Sequence, residues 1–376
     1  MNTKVSKKNQ KYEAYWNFTA SHTDYENSDF LDSLKLIIKK IDDNDAYHDK
    51  DEKKPSSYDK LVKELIKLNK FSGRDAGTSA RKVINTWLKC GFLKTGLKSY
   101  HPKAKRFLFV KSKFERDTIR AEIFLECNQL GASVSKPDSC KVNRVKFFVR
   151  TLEINRKLNK EDLAGIMITN PENFPAGYID SGQLETQKKL VKKIGFEKRK
   201  YNQISHFKQA LSCLGQYIVT DDQYLHFKDD EDEVQVLRSN KGKPVRSQIE
   251  QALFRDKLIL ESINIIGSGE TSYRAKCMLT KLPMIKNKMV ASHIWAYRSC
   301  DIESEYDPNN GLLLGDNIDY YFDSGVISFT NKGKVLYKEG LDEEWKKRLN
   351  SLSLDLGFLT PERIKFIEIH RKINGF

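Results

Sequence analysis

No apolar run in this chain approaches the roughly 20 residues needed to span a bilayer. The opening stretch, MNTKVSKKNQKYEAYW, lacks the hydrophobic core of a secretion signal. Membrane insertion and export are therefore not expected. Cysteine is sparse: six residues, at 90, 127, 140, 213, 277 and 300, without one CxxC pair. Such spacing argues against a disulfide framework or a zinc knuckle and points to buried thiols in a reducing cytoplasm. Acid is the charge in short supply, 51 Asp and Glu against 66 Lys and Arg, for a formal charge of +15. That balance favours a polyanionic partner. A lysine-rich solvated surface is the plain alternative, and composition alone does not separate the two.

At 376 residues the chain exceeds the usual single domain, so two or three are expected. A helix is read over Asp29 to Ile41, closed by the acidic run Asp42 to Asp45, which reads as a solvated loop. Leu61, Val62, Leu65 and Ile66 give a second helix its apolar stripe. Thr78 or Ser79 can cap a third, with Val83, Ile84, Trp87 and Leu88 inward and Gly91 as its stop. A turn at Thr95-Gly96 and a strand at Arg106 to Val110 follow, the order of a winged helix. The outer face of the third helix would carry Arg81, Lys82, Asn85 and Lys89, long donors suited to base edges and phosphates. The basic hairpin beside it (Lys94, Lys98, His101, Lys103, Lys105, Arg106) would be the wing. An ordinary amphipathic helix with a wet basic face is the rival reading.

A second helix-rich module is read from residue 120. It has an N-cap at Asn159 with Asp162 three residues on, and a lysine-rich helix from Gln183 to Ile194 stopped by Gly195. A hairpin of Tyr217 to Val219 with Tyr224 to Phe227 closes it. The helix carries Lys188, Lys189, Lys192 and Lys193 in the chain's densest basic cluster, which continues through Lys198 to Lys200 and suits phosphate contact. Acidic residues 229–233 and the turn-rich 239–244 mark a boundary. No internal repeat is evident beyond the two winged-helix-like patterns.

The chemistry concentrates between Ala291 and Phe329. His293 follows Met289 and Val290, Asn310 sits in the turn Asp307-Pro308-Asn309-Asn310-Gly311, and Asp319 and Asp323 stand four residues apart. On a helix that spacing puts both carboxylates on one face, where oxygen ligands can hold a hard cation such as Mg²⁺. A histidine on an adjoining strand could then take a proton from a water beside it. Separately, a histidine among apolar residues is usually a core residue, Asn-Gly a turn, and an early-helix aspartate a partner of the helix dipole.

Four blocks in this order resemble the HNH (ββα-metal) nucleases, in the variant common among bacterial restriction-type endonucleases. They are Cys277-Met278-Leu279-Thr280, Ala291-Ser292-His293-Ile294-Trp295, Asp307 to Leu314, and Asp319 to Phe329. The helix QIEQALFRDKLI from Gln248 resembles that family's lead-in, with Phe254, Leu258 and Leu260 inward. The resemblance implies His293 as general base and Asn310 as the residue that tethers the loop and orients the histidine. It implies Asp319 as a metal ligand, with Asp323 second. Mg²⁺ is the implied cofactor, for which Mn²⁺ can substitute. Two positions depart from the pattern: Ser292 stands where many members carry a metal-binding aspartate or histidine, and Ala296 where proline is common. Arg371, near the C-terminus, reads as a surface arginine.

The expected architecture is α+β and multidomain. Winged-helix-like DNA-recognition modules over 1–119 and 120–238 precede a ββα-metal nuclease domain over 239–376. The expected function is site-specific cleavage of double-stranded DNA, in the manner of a type II restriction endonuclease. Cutting both strands with one site per chain calls for a homodimer or two sequential nicks. The rivals are a nuclease dependent on methyl- or hydroxymethylcytosine, and a DNA-binding regulator with an inactive HNH fold.

Overall fold

The computed structural model describes residues 16, 18, 24–46, 56–220, 224–228, 246–267, 275–283 and 288–376, with the side chains of 197–201 excepted. The acidic run 229–233, the linker 239–244 and the side chains of Lys198, Arg199 and Lys200 lie outside the described residues. The chain forms two compact units, Met1–Val234 and Gln235–Phe376. Helix α5 (Lys113–Glu126) runs through residues 119 and 120.

The first unit is largely helical because its caps and apolar stripes agree. Asn27 caps α1 (Ser28–Asp42) and Ser56 caps α2 (Ser57–Leu68), each accepting an N–H of the first turn. Helix α3 (Ala76–Lys89) begins after Asp75, earlier than Thr78 or Ser79, and Asp75 makes no side-chain cap bond. Trp87 of α3 is fully buried, stacked on Phe30 at 4.1 Å and edge-on to Phe92 at 4.8 Å.

The strand expected at Arg106 to Val110 is instead helix α4 (Ala104–Phe109). Alternation in RFLFV would bury Phe107 and Phe109 together. In the structure Ala104 and Phe107, three apart, are buried while Phe109 is 74% exposed. Phe107 packs edge-on against Phe92 at 4.8 Å, so tertiary packing overrides strand propensity. The expected wing reduces to one bridge, Leu93 with Tyr100.

After α6 (Arg144–Asn155) come β1 (Leu158–Asn159) and α7 (Lys160–Met167), whose capping box pairs Asn159 with Asp162. Helix α8 (Ser181–Ile194) ends at Gly195 in the left-handed conformation, φ +63°, and α9 (Phe196–Ala210) follows. Strands β2 (Ile218–Thr220) and β3 (Tyr224–Phe227) pair antiparallel, and β1 joins β3's other edge, giving the order β1-β3-β2.

In the second unit α10 (Gln248–Ile266), capped by Ser247, leads into β4 (Met289–His293) and β5 (Gly311–Gly315). These strands pair antiparallel with Met289 opposite Gly315 and His293 opposite Gly311. All five residues of β5 are buried, and α10 and α11 (Asp316–Asp323) both pack against the pair. A strand covered on both faces carries a continuous apolar run, here Leu312-Leu313-Leu314. The Cys277 turn is fastened to β5 by the Met278 N–H, which donates to the Leu313 carbonyl at 2.9 Å. Beyond lie the hairpin β6 (Ile327–Phe329) and β7 (Val335–Tyr337), then α12 (Glu343–Asn350) and α13 (Pro361–Asn374), which Thr360 caps. All six cysteines are free and buried. No helix among the described residues is long and apolar enough to cross a membrane.

Candidate active site

His293 ends β4, buried to 8% exposure, its ring stacked on Phe254 of α10 at 4.6 Å with 19° between planes. Its Nε2 lies 2.8 Å from the Glu305 carbonyl. A carbonyl can only accept, so Nε2 carries the hydrogen and the neutral ring keeps its lone pair on Nδ1. Burial pushes the pKa from the usual 6.5 down to about 4, against the Glu305 carbonyl, which favours the charged form. The Arg246 cation lowers it further and the Asp323 charge raises it. His293 is therefore neutral at pH 7.

Asn310 is fully buried in the short 3₁₀ turn Pro308–Asn310. Its Oδ1 accepts the Trp295 N–H at 2.7 Å, and its Nδ2 donates to the carbonyls of Trp295 and Ser304, each at 3.0 Å. One amide thus fixes the chain on either side of the site: the residues after His293, and Ser304, which precedes the carbonyl that orients His293.

That turn is itself held from α13. The Arg363 guanidinium, 1% exposed, grips Glu261 of α10 with two nitrogens at 2.6 and 2.7 Å. It also donates to the Pro308 carbonyl at 2.8 Å, while Thr360 Oγ1 donates to Asn309 Oδ1 at 2.8 Å. Gly311 is needed for space: a Cβ there would sit 2.5 Å from Phe254 Cζ, on the ring that stacks against His293. Neither Arg363 nor this role of Gly311 stands out in the sequence, where one reads as a surface cation and the other as a turn residue.

Helix α11 packs against both strands and carries the two aspartates. Asp319 is half-buried and Asp323 exposed. Burial raises the Asp319 pKa; the Ser292 hydroxyl opposes this, and the charges of Asp323 and Asp316 reinforce it. Ser292 Oγ is itself buried, 3% exposed for the residue, and makes no close hydrogen bond, though it lies near enough to Asp319 to favour its charge. A cation would relieve such a crowded, partly desolvated carboxylate. The donor set is all oxygen, which fits Mg²⁺ or Mn²⁺. No three His, Cys, Asp or Glu side chains among the described residues form a metal-holding cluster. Asp319 and Asp323 would thus hold the ion with waters completing its shell.

His370, buried on α13, supports α11 from beneath. Its ring stacks on Phe322 at 4.2 Å, and its Nε2 donates to the Phe322 carbonyl at 3.2 Å, next to Asp323. Arg371 donates to the Phe329 carbonyl at 2.8 Å and braces β6.

The candidate DNA-contact residues of the first unit divide. Arg81 is exposed, and Lys82 and Asn85 half-buried, along α3. Lys89 is a correction: it is 5% exposed and its ammonium donates to the Leu130 carbonyl at 2.7 Å, so it does not lie on the outer face. Desolvation drops its pKa to about 8. On α8, Lys188 pairs with Asp162 at 3.2 Å and Lys192 with Glu161 at 3.4 Å, both from α7. Lys189 and Lys193 are exposed with no ion pair among the described residues. The basic segment read as a wing is largely neutralised: Lys103 pairs with Glu122, Lys105 with Asp42 and Arg106 with Glu115, while buried His101 meets Glu126.

Comparison with known families places a match on this geometry. Residues 277–330, from the Cys277 turn through β6, match a family model described as HNH endonuclease. The chain therefore carries an HNH endonuclease domain there, following a largely helical N-terminal region. No curated protein matches the chain.

Proposed function

We propose that this chain is a restriction-type DNA endonuclease that hydrolyses phosphodiester bonds of double-stranded DNA at a site the first unit selects. One observation carries the reading: in the HNH-matched segment, His293 is held neutral with Nε2–H on a backbone carbonyl, leaving Nδ1 as an available base. Hydrolysis needs a water deprotonated at the phosphorus and charge stabilised on the phosphate and the leaving O3′. His293 Nδ1 takes the proton. Asn310 positions the histidine by fixing Trp295 and Ser304. Mg²⁺ bound at Asp319 and Asp323 would supply the positive charge at the phosphate.

Selection of the site is assigned to the first unit. The succession α6, β1, α7, α8, α9, β2, β3 is a helix, strand, helices, hairpin order like that of a winged helix, and it supports that reading for the second module. Arg81, Lys82 and Asn85 on α3, and Lys189 and Lys193 on α8, are the proposed contacts to DNA. Two chains, or two successive nicks, would cut both strands.

The test is incubation of wild type with plasmid and phage DNA, modified and unmodified, in Mg²⁺ or Mn²⁺, beside His293→Ala and Asp319→Asn. Wild type should cut and both variants lose at least about a hundredfold in rate. Mg²⁺ should raise the thermal midpoint of wild type but not of Asp319→Asn, which without metal should be no less stable than wild type because a crowded charge is gone. Cutting confined to modified DNA would move the reading to a modification-dependent nuclease. DNA binding without cutting under every condition would make the chain a regulator instead.

A further inference from the structure

Arg246, just ahead of the Ser247 cap of α10, is not among the residues that the HNH reading uses. Its guanidinium lies 4.3 Å above the ring of Tyr297, itself 5% exposed and set edge-on to His293 at 5.7 Å. The approach is pinned from a second side. Tyr306 Oη accepts the Ser247 N–H at 2.9 Å and donates to Tyr297 Oη at 3.3 Å, so the chain next to Arg246 and the ring beneath it share one anchor.

No carboxylate among the described residues pairs with Arg246. The contrast with Arg363 in the same unit is sharp, since Glu261 neutralises that guanidinium with two nitrogens. Arg246 is half-buried and fixed on an aromatic face, with no countercharge among the described residues. Its field reaches His293, where it opposes protonation. A guanidinium oriented in this way, with no anion among the described residues to meet it, suits an anion from outside.

Resting on the nuclease reading, we infer that Arg246 is a further catalytic residue, which binds a non-bridging oxygen of the scissile phosphate and stabilises the charge that builds there as water attacks. No proton moves to or from it. The planar fork suits the phosphate oxygens, and the Tyr297 face keeps the side chain ordered before DNA arrives, so little reorganisation accompanies the reaction.

The test compares Arg246→Met and Arg246→Lys with wild type on the duplex that wild type cuts. Methionine keeps a long side chain to lie on Tyr297 but has no charge; lysine keeps the charge. Arg246→Met should lower kcat by about 10²-fold or more. Affinity for the same duplex, measured without divalent metal, should change by less than about threefold, the loss of one phosphate contact among many. Arg246→Lys should regain at least about tenfold of the lost rate. The inference is overturned if Arg246→Met cuts as wild type does, if binding and rate fall in equal proportion, or if Arg246→Lys cuts no faster than Arg246→Met. A wild type as inert as His293→Ala sinks the nuclease reading and this inference with it, whereas an active wild type with an active Arg246→Met sinks this inference alone.

Discussion

The side chain of Asn310 and the backbone of Trp295 bond to each other in both directions, Oδ1 accepting the N–H at 2.7 Å and Nδ2 donating to the carbonyl at 3.0 Å. With the third bond to the Ser304 carbonyl, the amide uses both ends of its dipole in a fully buried position. Asn310→Ala would leave one N–H and two carbonyls buried without partners. At about 1–3 kcal/mol per orphaned group the second unit should lose several kcal/mol of stability. Asn310→Asp should be no better, since a carboxylate oxygen would face two carbonyls. Denaturant unfolding of both variants checks this, and a midpoint equal to wild type would mean the bonds are dispensable.

Gly311→Ala tests the other side of the same turn. The glycine φ is −139°, open to any residue, so the cost is purely steric: a Cβ 2.5 Å from Phe254 Cζ. Moving Phe254 also moves the ring stacked on it, His293. A loss of about 1–3 kcal/mol is expected, together with a larger fall in cleavage rate than that stability loss alone would cause. Phe254→Leu in the same chain should relieve part of the stability loss without restoring the rate.

Two of the buried histidines, His293 and His370, should make the protein acid-sensitive. Burial lowers the pKa of His293 to about 4 and lowers that of His370 as well. Below about 6.5 the unfolded chain takes up protons at these rings, while folded His293 does not until about 4, so stability falls as pH drops through that window. Full protonation at His293 alone would cost up to about 3 kcal/mol. His293→Gln should flatten part of the fall in the unfolding midpoint between pH 6.5 and 4. An unchanged pH profile would show that the folded and unfolded rings titrate alike.

Lysines of similar appearance in the sequence should differ in DNA binding. Lys89→Met should leave affinity and its salt slope unchanged, because that ammonium is spent on the Leu130 carbonyl. Lys189→Ala with Lys193→Ala should weaken binding and flatten the slope of log K against log salt by about one to two. Fluorescence anisotropy across a salt series distinguishes the two cases. Equal effects from Lys89 and Lys189 would count against the proposed surface.

The sequence by itself determined whatever depends on neighbours along the chain. The Asn159–Asp162 capping box, the Gly195 and Thr360 helix ends, the apolar run of β5 and the order of the HNH residues are all set by local chemistry. Tertiary structure decided what depends on distant partners. Leu130 draws Lys89 inward, Phe92 makes a helix of a stretch that alternates like a strand, and α7 neutralises half of the basic face of α8. At the site, chain order gave His293 its place, but its proton acceptor was settled twelve residues away, at the Glu305 carbonyl, within a loop that Asn310 holds. The physical reason is common to all of these. Caps and periodicity act over three or four residues, whereas burial and charge are fixed only when remote segments fold against one another.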